Sequence, residues 1–140
     1  MMNVMNHENV DFSSIKIQDI MTKTLISVNP QTTAFQIARM MEQGGIGAII
    51  IKENESPVGI ITDRDFATKI AANSLPLDCA AEKIMSSPLI TISHTESILA
   101  AAEVMSSKKI RKLVVSDNGS IVGIITSTDL TNQLALNSTL

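Results

Sequence analysis

The second half of this 140-residue chain repeats the first half. A shift of 64 residues aligns residues 17–70 with residues 81–134 without a gap, and 15 of the 54 pairs are identical. The clearest match is Val-Gly-Ile-Ile-Thr, at 58–62 and again at 122–126. A unit of about 60 residues is marginal alone because it buries little surface. We therefore predict that the copies, at 15–75 and 76–140, pack together with pseudo-twofold symmetry after a disordered tail over 1–14.

Both copies predict the same order of elements, β-α-β-β-α. A short β-rich stretch precedes apolar residues at helical spacing, and two apolar strands around a polar loop follow. A second helix begins at Thr62 in one copy and at Thr126 in the other. The fold class is therefore α/β, of the mixed α+β type. The predicted strands are 25–28, 48–52 and 58–61 in the first copy and 89–92, 112–116 and 121–125 in the second.

The first helix of each copy carries start and stop signals. Asn29 before Pro30 predicts a cap followed by a proline in the first turn, and Ser93 with Glu96 predicts a capping box. Gly44 and Gly45 predict the end of the first helix.

The composition excludes several function classes. With 44% hydrophobic and 18% charged residues, the chain is predicted to be a soluble globular protein. A net charge of -3 and only three aromatic residues argue against nucleic-acid binding. No apolar run is long enough to span a membrane, and the polar first residues do not resemble a signal peptide. The single cysteine, Cys79, fits the reducing cytoplasm, and it is interpreted either as an inert buried thiol or as a reactive one.

Both copies place Gly-x-x-Thr-x-x-Asp where a strand leads into a helix, at 59–65 and 123–129. One interpretation is structural, because threonine and an acidic residue three positions later can cap a helix. The other is functional, since a helix N-terminus attracts phosphate and a carboxylate there can accept both hydroxyls of a ribose. The spacing alone leaves both open.

The whole pattern resembles a tandem pair of cystathionine beta-synthase (CBS) domains, a Bateman module. The resemblance includes Asp-Ile-Met-Thr at 19–22 and Glu-Lys-Ile-Met-Ser at 82–86. It implies two clefts between the copies that bind AMP, ADP, ATP or a related compound such as S-adenosylmethionine or NAD, and it implies a homodimer. Thr62 with Asp65, and Thr126 with Asp129, would hold the ribose. The remaining residues implied to border the ligand are Thr24, Leu25, Ile26, Gly59, Ile61, Pro88, Leu89, Ile90, Gly123 and Ile125.

The copies differ in the cations that a phosphate needs. Arg111 and its neighbour Lys112 match a basic position of the family, whereas the first copy has Gly47 and Ala48 there. The first copy instead offers Arg64, where the second has Thr128. We therefore expect unequal clefts. The basic residues also have a structural interpretation, since those near Arg111 suit a helix C-terminus and Arg64 could pair with a neighbouring aspartate.

The other reactive side chains offer no catalytic or metal centre. His7 and His94 lack partners at metal-ligand spacing. Met40, Met41 and Met105 indicate core filler or a dimer face.

The leading hypothesis is a non-enzymatic, cytoplasmic regulatory sensor of energy state or of a metabolite. It would bind an adenosine ligand and signal to a separate effector protein. The alternative is a dimerisation or scaffold module that binds no ligand. An enzyme acting on a nucleotide lacks a plausible base or nucleophile beyond the carboxylates.

Overall fold

The computed structural model of the protein describes residues 11–136. These residues form two compact units that do not coincide with the two sequence copies. Residues 25–90 form one unit, here called the middle unit. Residues 11–24 and 91–136 form the other, here called the terminal unit.

The middle unit contains a three-stranded sheet with helices after its first and last strands. The first strand along the chain pairs with the second in parallel, and the second pairs with the third in antiparallel orientation. The third strand leads directly into a short α-helix, which continues as a π-helical turn. The elements are β1 (Ser27–Val28), α1 (Ala34–Gly44), β2 (Ala48–Glu53), β3 (Ser56–Thr62), α2 (Asp63–Asp65), the π-helical turn Phe66–Ala71 and a 3₁₀ turn at Ala81–Lys83.

The terminal unit has the same sheet, in the order β4-β5-β6. The predicted mixed fold and the repeated β-α-β-β-α order are confirmed. The elements are a 3₁₀ turn at Ile17–Asp19, then β4 (Thr91–Ser93), α3 (Ile98–Lys108), β5 (Lys112–Asp117), β6 (Ser120–Thr126) and α4 (Ser127–Leu136).

Each unit has its own aliphatic core between the sheet and its helices. The 3₁₀ turns contribute to these cores, through Ile84 and Ala81 in one unit and through Ile17 in the other. Met105 is 6% exposed, and Met40 and Met41 pack against the middle core, as the interpretation as core filler requires. The remaining buried members are Ala34, Ile37, Ile49, Ile51, Ile61 and Ile70 in the middle unit, and Ile98, Ala101, Leu113, Val115 and Ile125 in the terminal unit.

The helices α1 and α3 start four residues later than the sequence signals predicted. Thr33 forms the capping box of α1 with Gln36, and Ser97 accepts a bond from the backbone of Ala100 at 3.0 Å. Asn29 instead accepts from the N–H of Gln31 at 2.8 Å, which closes a turn ahead of the helix. The prediction failed because Asn and Ser make local turns as readily as caps. The predicted stop was right, since Gly45 caps α1 in the left-handed region at φ 64°.

The first amides of α1 and α3 donate to segments that come from the other sequence copy. Ala34 N–H donates to Cys79 O and Ile98 N–H donates to Ile15 O, both at 2.9 Å. These bonds satisfy donors that a helix N-terminus leaves unpaired. Residues 15–24 therefore fold with the second copy, and residues 76–90 fold with the first.

The predicted tail over 1–14 falls mostly outside the described residues, as does His7. Residues 11–14 are described and form a turn in which Phe12 O accepts from Leu99 N–H at 3.2 Å. The hydroxyl of Ser13 and its backbone N–H both donate hydrogen bonds to the exposed Asp11 carboxylate. These bonds, the hydroxyl's more than the N–H's, lower the pKa of Asp11. The described part of the predicted tail is therefore hydrogen-bonded to α3.

Candidate functional site

The motif of the middle unit forms a complete capping box. Thr62 N–H donates to Asp65 Oδ2 at 2.8 Å, and the Thr62 hydroxyl lies 3.5 Å from the same oxygen. Asp65 is only 5% exposed. The structural interpretation of the motif therefore describes this copy accurately.

The other oxygen of Asp65 is also engaged. Ser86 Oγ donates to Asp65 Oδ1 at 3.1 Å, and Lys69 Nζ lies 3.1 Å from Oδ1. Lys69 was not among the sequence-predicted site residues. Its spacing of four positions after Asp65 on a predicted helix was the signal that could have found it.

Each motif glycine packs closely against a methionine, which belongs to Glu-Lys-Ile-Met-Ser at 82–86 for Gly59 and to Asp-Ile-Met-Thr at 19–22 for Gly123. A Cβ on Gly59 would lie 2.5 Å from Met85 Sδ. A Cβ on Gly123 would lie 2.7 Å from Met21 Sδ and 2.8 Å from the carbonyl oxygen of Thr22. Close packing of the chain on itself therefore favours glycine at both positions.

The motif of the terminal unit is more open. Thr126 N–H donates to Asp129 Oδ2 at 2.9 Å, and Asp129 N–H donates to Thr126 Oγ1 at 3.1 Å. Asp129 is half-buried. These bonds use Oδ2 and the backbone N–H of Asp129, so Oδ1 lies outside the capping box. This carboxylate keeps capacity to accept donors from outside the unit.

The backbone of the two residues predicted to supply cations in the second copy lies beside this motif. Ser127 N–H, at the start of α4, donates to Arg111 O at 2.9 Å, and Lys112 is the sheet partner of Thr126. Arg111 is exposed and Lys112 is half-buried. At the corresponding place in the middle unit Asp63 N–H donates to Gly47 O at 3.3 Å, so that position carries no cation.

The remaining predicted site residues fall into three groups. Ile61 and Ile125 are fully buried in the cores, so their side chains are structural. Arg64, Thr128, Thr24 and Pro88 are exposed. Leu25, Ile26 and Leu89 are half-buried, and Ile90 is 37% exposed. All four lie at the two places where the chain passes from one unit to the other.

A second polar cluster lies elsewhere in the terminal unit. His94 Nδ1 is 2.7 Å from Gln18 Oε1, and His94 Nε2 is 3.4 Å from Asp117 Oδ1. These residues line an open hollow of about 460 Å³. Across residues 11–136 no group of three His, Cys, Asp or Glu side chains is placed to hold a metal ion. No helix in this part of the chain is long and apolar enough to cross a membrane.

A family comparison decides what the duplicated motif is. The family model of the CBS domain matches twice, at residues 17–72 and 81–136. The chain belongs to the CBS domain family. An uncharacterized protein of Methanopyrus kandleri is 36% identical to this CBS chain over 120 residues, covering 84% of this chain and 61% of that protein. The CBS domain-containing protein YhcV of Bacillus subtilis is 31% identical, covering 85% and 86% of the two chains. A probable arabinose 5-phosphate isomerase of Haemophilus influenzae is 34% identical, with 79% of this chain matching 33% of that one.

Solved structures agree with this assignment. An uncharacterized conserved protein from Pyrococcus horikoshii has a TM-score of 0.84 at 28% identity, with 94% of this CBS chain and 98% of that chain covered. The CBS domain pair of protein MJ0100 has a TM-score of 0.79 at 27% identity, with 88% and 98% covered. That pair was solved in complex with 5′-methylthioadenosine and S-adenosyl-L-methionine.

Proposed function

We propose that this chain is a non-catalytic regulatory module that binds an adenosine-containing ligand and passes the binding event to a separate effector protein. The ligand class comprises AMP, ADP, ATP and S-adenosylmethionine. The observation that carries the proposal is the half-buried Asp129 carboxylate, whose Oδ1 lies outside the capping box, in a motif whose helix start is bonded to the backbone of exposed Arg111. The adenosine ligands of the MJ0100 pair support this class.

The chemistry of the ligand matches these two side chains. A ribose diol offers two O–H donors, and an ionised carboxylate accepts several. A phosphate offers charged acceptors, which a guanidinium binds in a fork. Ligand binding would act by favouring one arrangement of the chain over another, since only differential affinity can shift such an equilibrium. The homodimer remains part of the proposal, supported by Leu134 and Leu136 of α4, which are 61% and 78% exposed.

Equilibrium dialysis of ligand-stripped protein tests the proposal. The probes are AMP, ADP, ATP, NAD and S-adenosylmethionine, followed through the adenine absorbance because the chain contains no Trp or Tyr. We expect one of them to bind, and we expect its 2′-deoxy analogue to bind at least about tenfold more weakly, since a hydrogen bond to a charged group contributes about 1.5–3 kcal/mol.

Two substitutions connect the binding to the site. Asp129→Asn can still cap α4 through its amide oxygen, so we expect normal circular dichroism with lost ligand affinity. Arg111→Gln should weaken phosphate-containing ligands more than 5′-methylthioadenosine, which has no phosphate. Binding that is unchanged in Asp129→Asn would refute the assignment of the site.

The scaffold function is the second candidate, and the capping boxes favour it because they account for both motifs without a ligand. It predicts that no adenosine compound binds at millimolar concentration. It also predicts that Asp129→Ala costs only the stability of a helix cap, about 0.5–2 kcal/mol.

A further inference from the structure

Donor groups of the chain surround both oxygens of the Asp65 carboxylate. An ionised carboxylate offers about four lone-pair sites. Four donor groups of the chain surround Asp65, namely the N–H and hydroxyl of Thr62, the hydroxyl of Ser86 and the ammonium of Lys69. A ribose diol could bind Asp65 only by displacing some of them.

The Lys69 ammonium is the group that is hardest to displace. It donates to the carbonyl oxygens of Ile84 at 2.9 Å and Met85 at 3.2 Å, and it lies 3.3 Å from Ser86 Oγ. These acceptors follow the 3₁₀ turn Ala81–Lys83, so Lys69 ties the end of that turn to the motif. Moving Lys69 would leave a buried carboxylate and two carbonyl groups without their cation, and an unpaired buried charge is strongly unfavourable.

The second copy lacks this cation. Gln133 stands at the position of Lys69, and Thr22 stands at the position of Ser86. The backbone pairing beside each motif is the same: Thr22 and Ile124 exchange two bonds of 2.9 Å, just as Ser86 and Ile60 exchange bonds of 2.8 and 3.1 Å. The motifs therefore share this backbone pairing and differ in side chains, in charge and in the helix that follows, which continues as the π-helical turn Phe66–Ala71 in one copy and is the α-helix α4 in the other.

We propose that Lys69 is an internal latch that closes the Asp65 motif to ribose, so that the chain binds one adenosine ligand, at Asp129. This inference rests on the proposed function. Lys69 and Gln133 are then the residues that decide which of two nearly identical motifs accepts a diol.

A reciprocal exchange of the two residues tests the latch. The probe is the compound among AMP, ADP, ATP, NAD and S-adenosylmethionine that binds most tightly in dialysis, titrated to saturation to count sites. We expect one ligand per chain in the natural protein and two in Lys69→Gln. We expect Gln133→Lys to bind at least tenfold more weakly, because its ammonium would occupy Asp129. The controls are Lys83→Gln and Gln43→Lys, which make the same charge changes at exposed positions of the middle unit, and both should keep one site of natural affinity.

The outcomes separate this inference from the proposed function. Failure of all five compounds to bind the natural protein refutes the proposed function and the latch with it. Two sites in the natural protein, or an unchanged affinity in Gln133→Lys, overturn the latch and leave the proposed function standing. If Lys69→Gln does not fold by circular dichroism, the site count of the natural protein and the affinity of Gln133→Lys still decide.

Discussion

Alanine at the two motif glycines should destabilise the protein to different extents, although the glycines occupy equivalent positions of the repeat. At Gly59 the new Cβ would meet Met85 Sδ at 2.5 Å, while the nearest backbone atom, Ser86 O, is 3.1 Å away. The methionine side chain is flexible and can move. At Gly123 the new Cβ would meet Thr22 O at 2.8 Å, and this backbone oxygen accepts the N–H of Ile124.

The magnitudes follow from these contacts. Overpacking costs about 1–3 kcal/mol, whereas replacing glycine by alanine returns about 0.4–1 kcal/mol through the unfolded chain. Gly59→Ala should therefore cost about 0–2.5 kcal/mol. Gly123→Ala must also disturb the pair of bonds between Thr22 and Ile124, at about 0.5–1.5 kcal/mol each, so it should cost about 1–3 kcal/mol more.

Urea unfolding followed by far-UV circular dichroism measures both costs, and an unchanged m-value confirms that the folded and unfolded states are comparable. A second arm truncates the methionines. In a Met85→Ala background Gly59→Ala should become neutral or stabilising, while in a Met21→Ala background Gly123→Ala should still destabilise because Thr22 O remains. Equal costs for the two glycines, or rescue of Gly123→Ala by Met21→Ala, would refute the packing argument.

Three further predictions are each measured by the same urea titration. Glu55→Gly should stabilise by about 1 kcal/mol, because Glu55 has φ 68° in the turn where the second copy carries Gly119 at φ 87°; no gain would indicate that the hairpin does not need the left-handed conformation. Lys109→Gly should likewise stabilise by about 1 kcal/mol, since Lys109 caps α3 at φ 57°, and Gly45→Ala should destabilise by a similar amount; shifts of the same sign would contradict this. Thr33→Ala should lower the stability by about 0.5–2 kcal/mol through loss of the capping box. Asn29→Ala, at the cap predicted from the sequence, should cost less. A larger cost for Asn29→Ala would indicate that α1 begins at the predicted cap.

The sequence predicted the elements well because their signals are local. The apolar runs at 48–52 and 112–116 became β2 and β5 within one residue at either end, and Gly45 marked the end of α1. The helix starts were misplaced because several Ser, Thr and Asn residues compete as caps. The choice among them was made by contacts distant in sequence, such as Ala34 with Cys79.

The candidate site was predicted less completely. The motif spacing located Thr62, Asp65, Thr126 and Asp129, and the contrast between copies located Arg111. The spacing could not show that Lys69 would reach Asp65 and the carbonyl oxygens near residue 85, because those carbonyls come from a segment beyond the helix. The motif also could not show that Ile61 and Ile125 are buried in the cores, because it specifies only the spacing of residues along the chain.

The crossing of segments between copies bears on how the chain can be divided. A cut near residue 75 would separate each helix start from the carbonyl group that accepts its first N–H. These acceptors are Cys79 O for α1 and Ile15 O for α3. Neither half would then carry all the parts of a folded unit. The halves should instead recover structure when they are mixed, by exchanging these segments. A single ancestral copy would have met the same need by exchanging its segment with an identical chain, and duplication would have converted that exchange between two chains into an exchange within one.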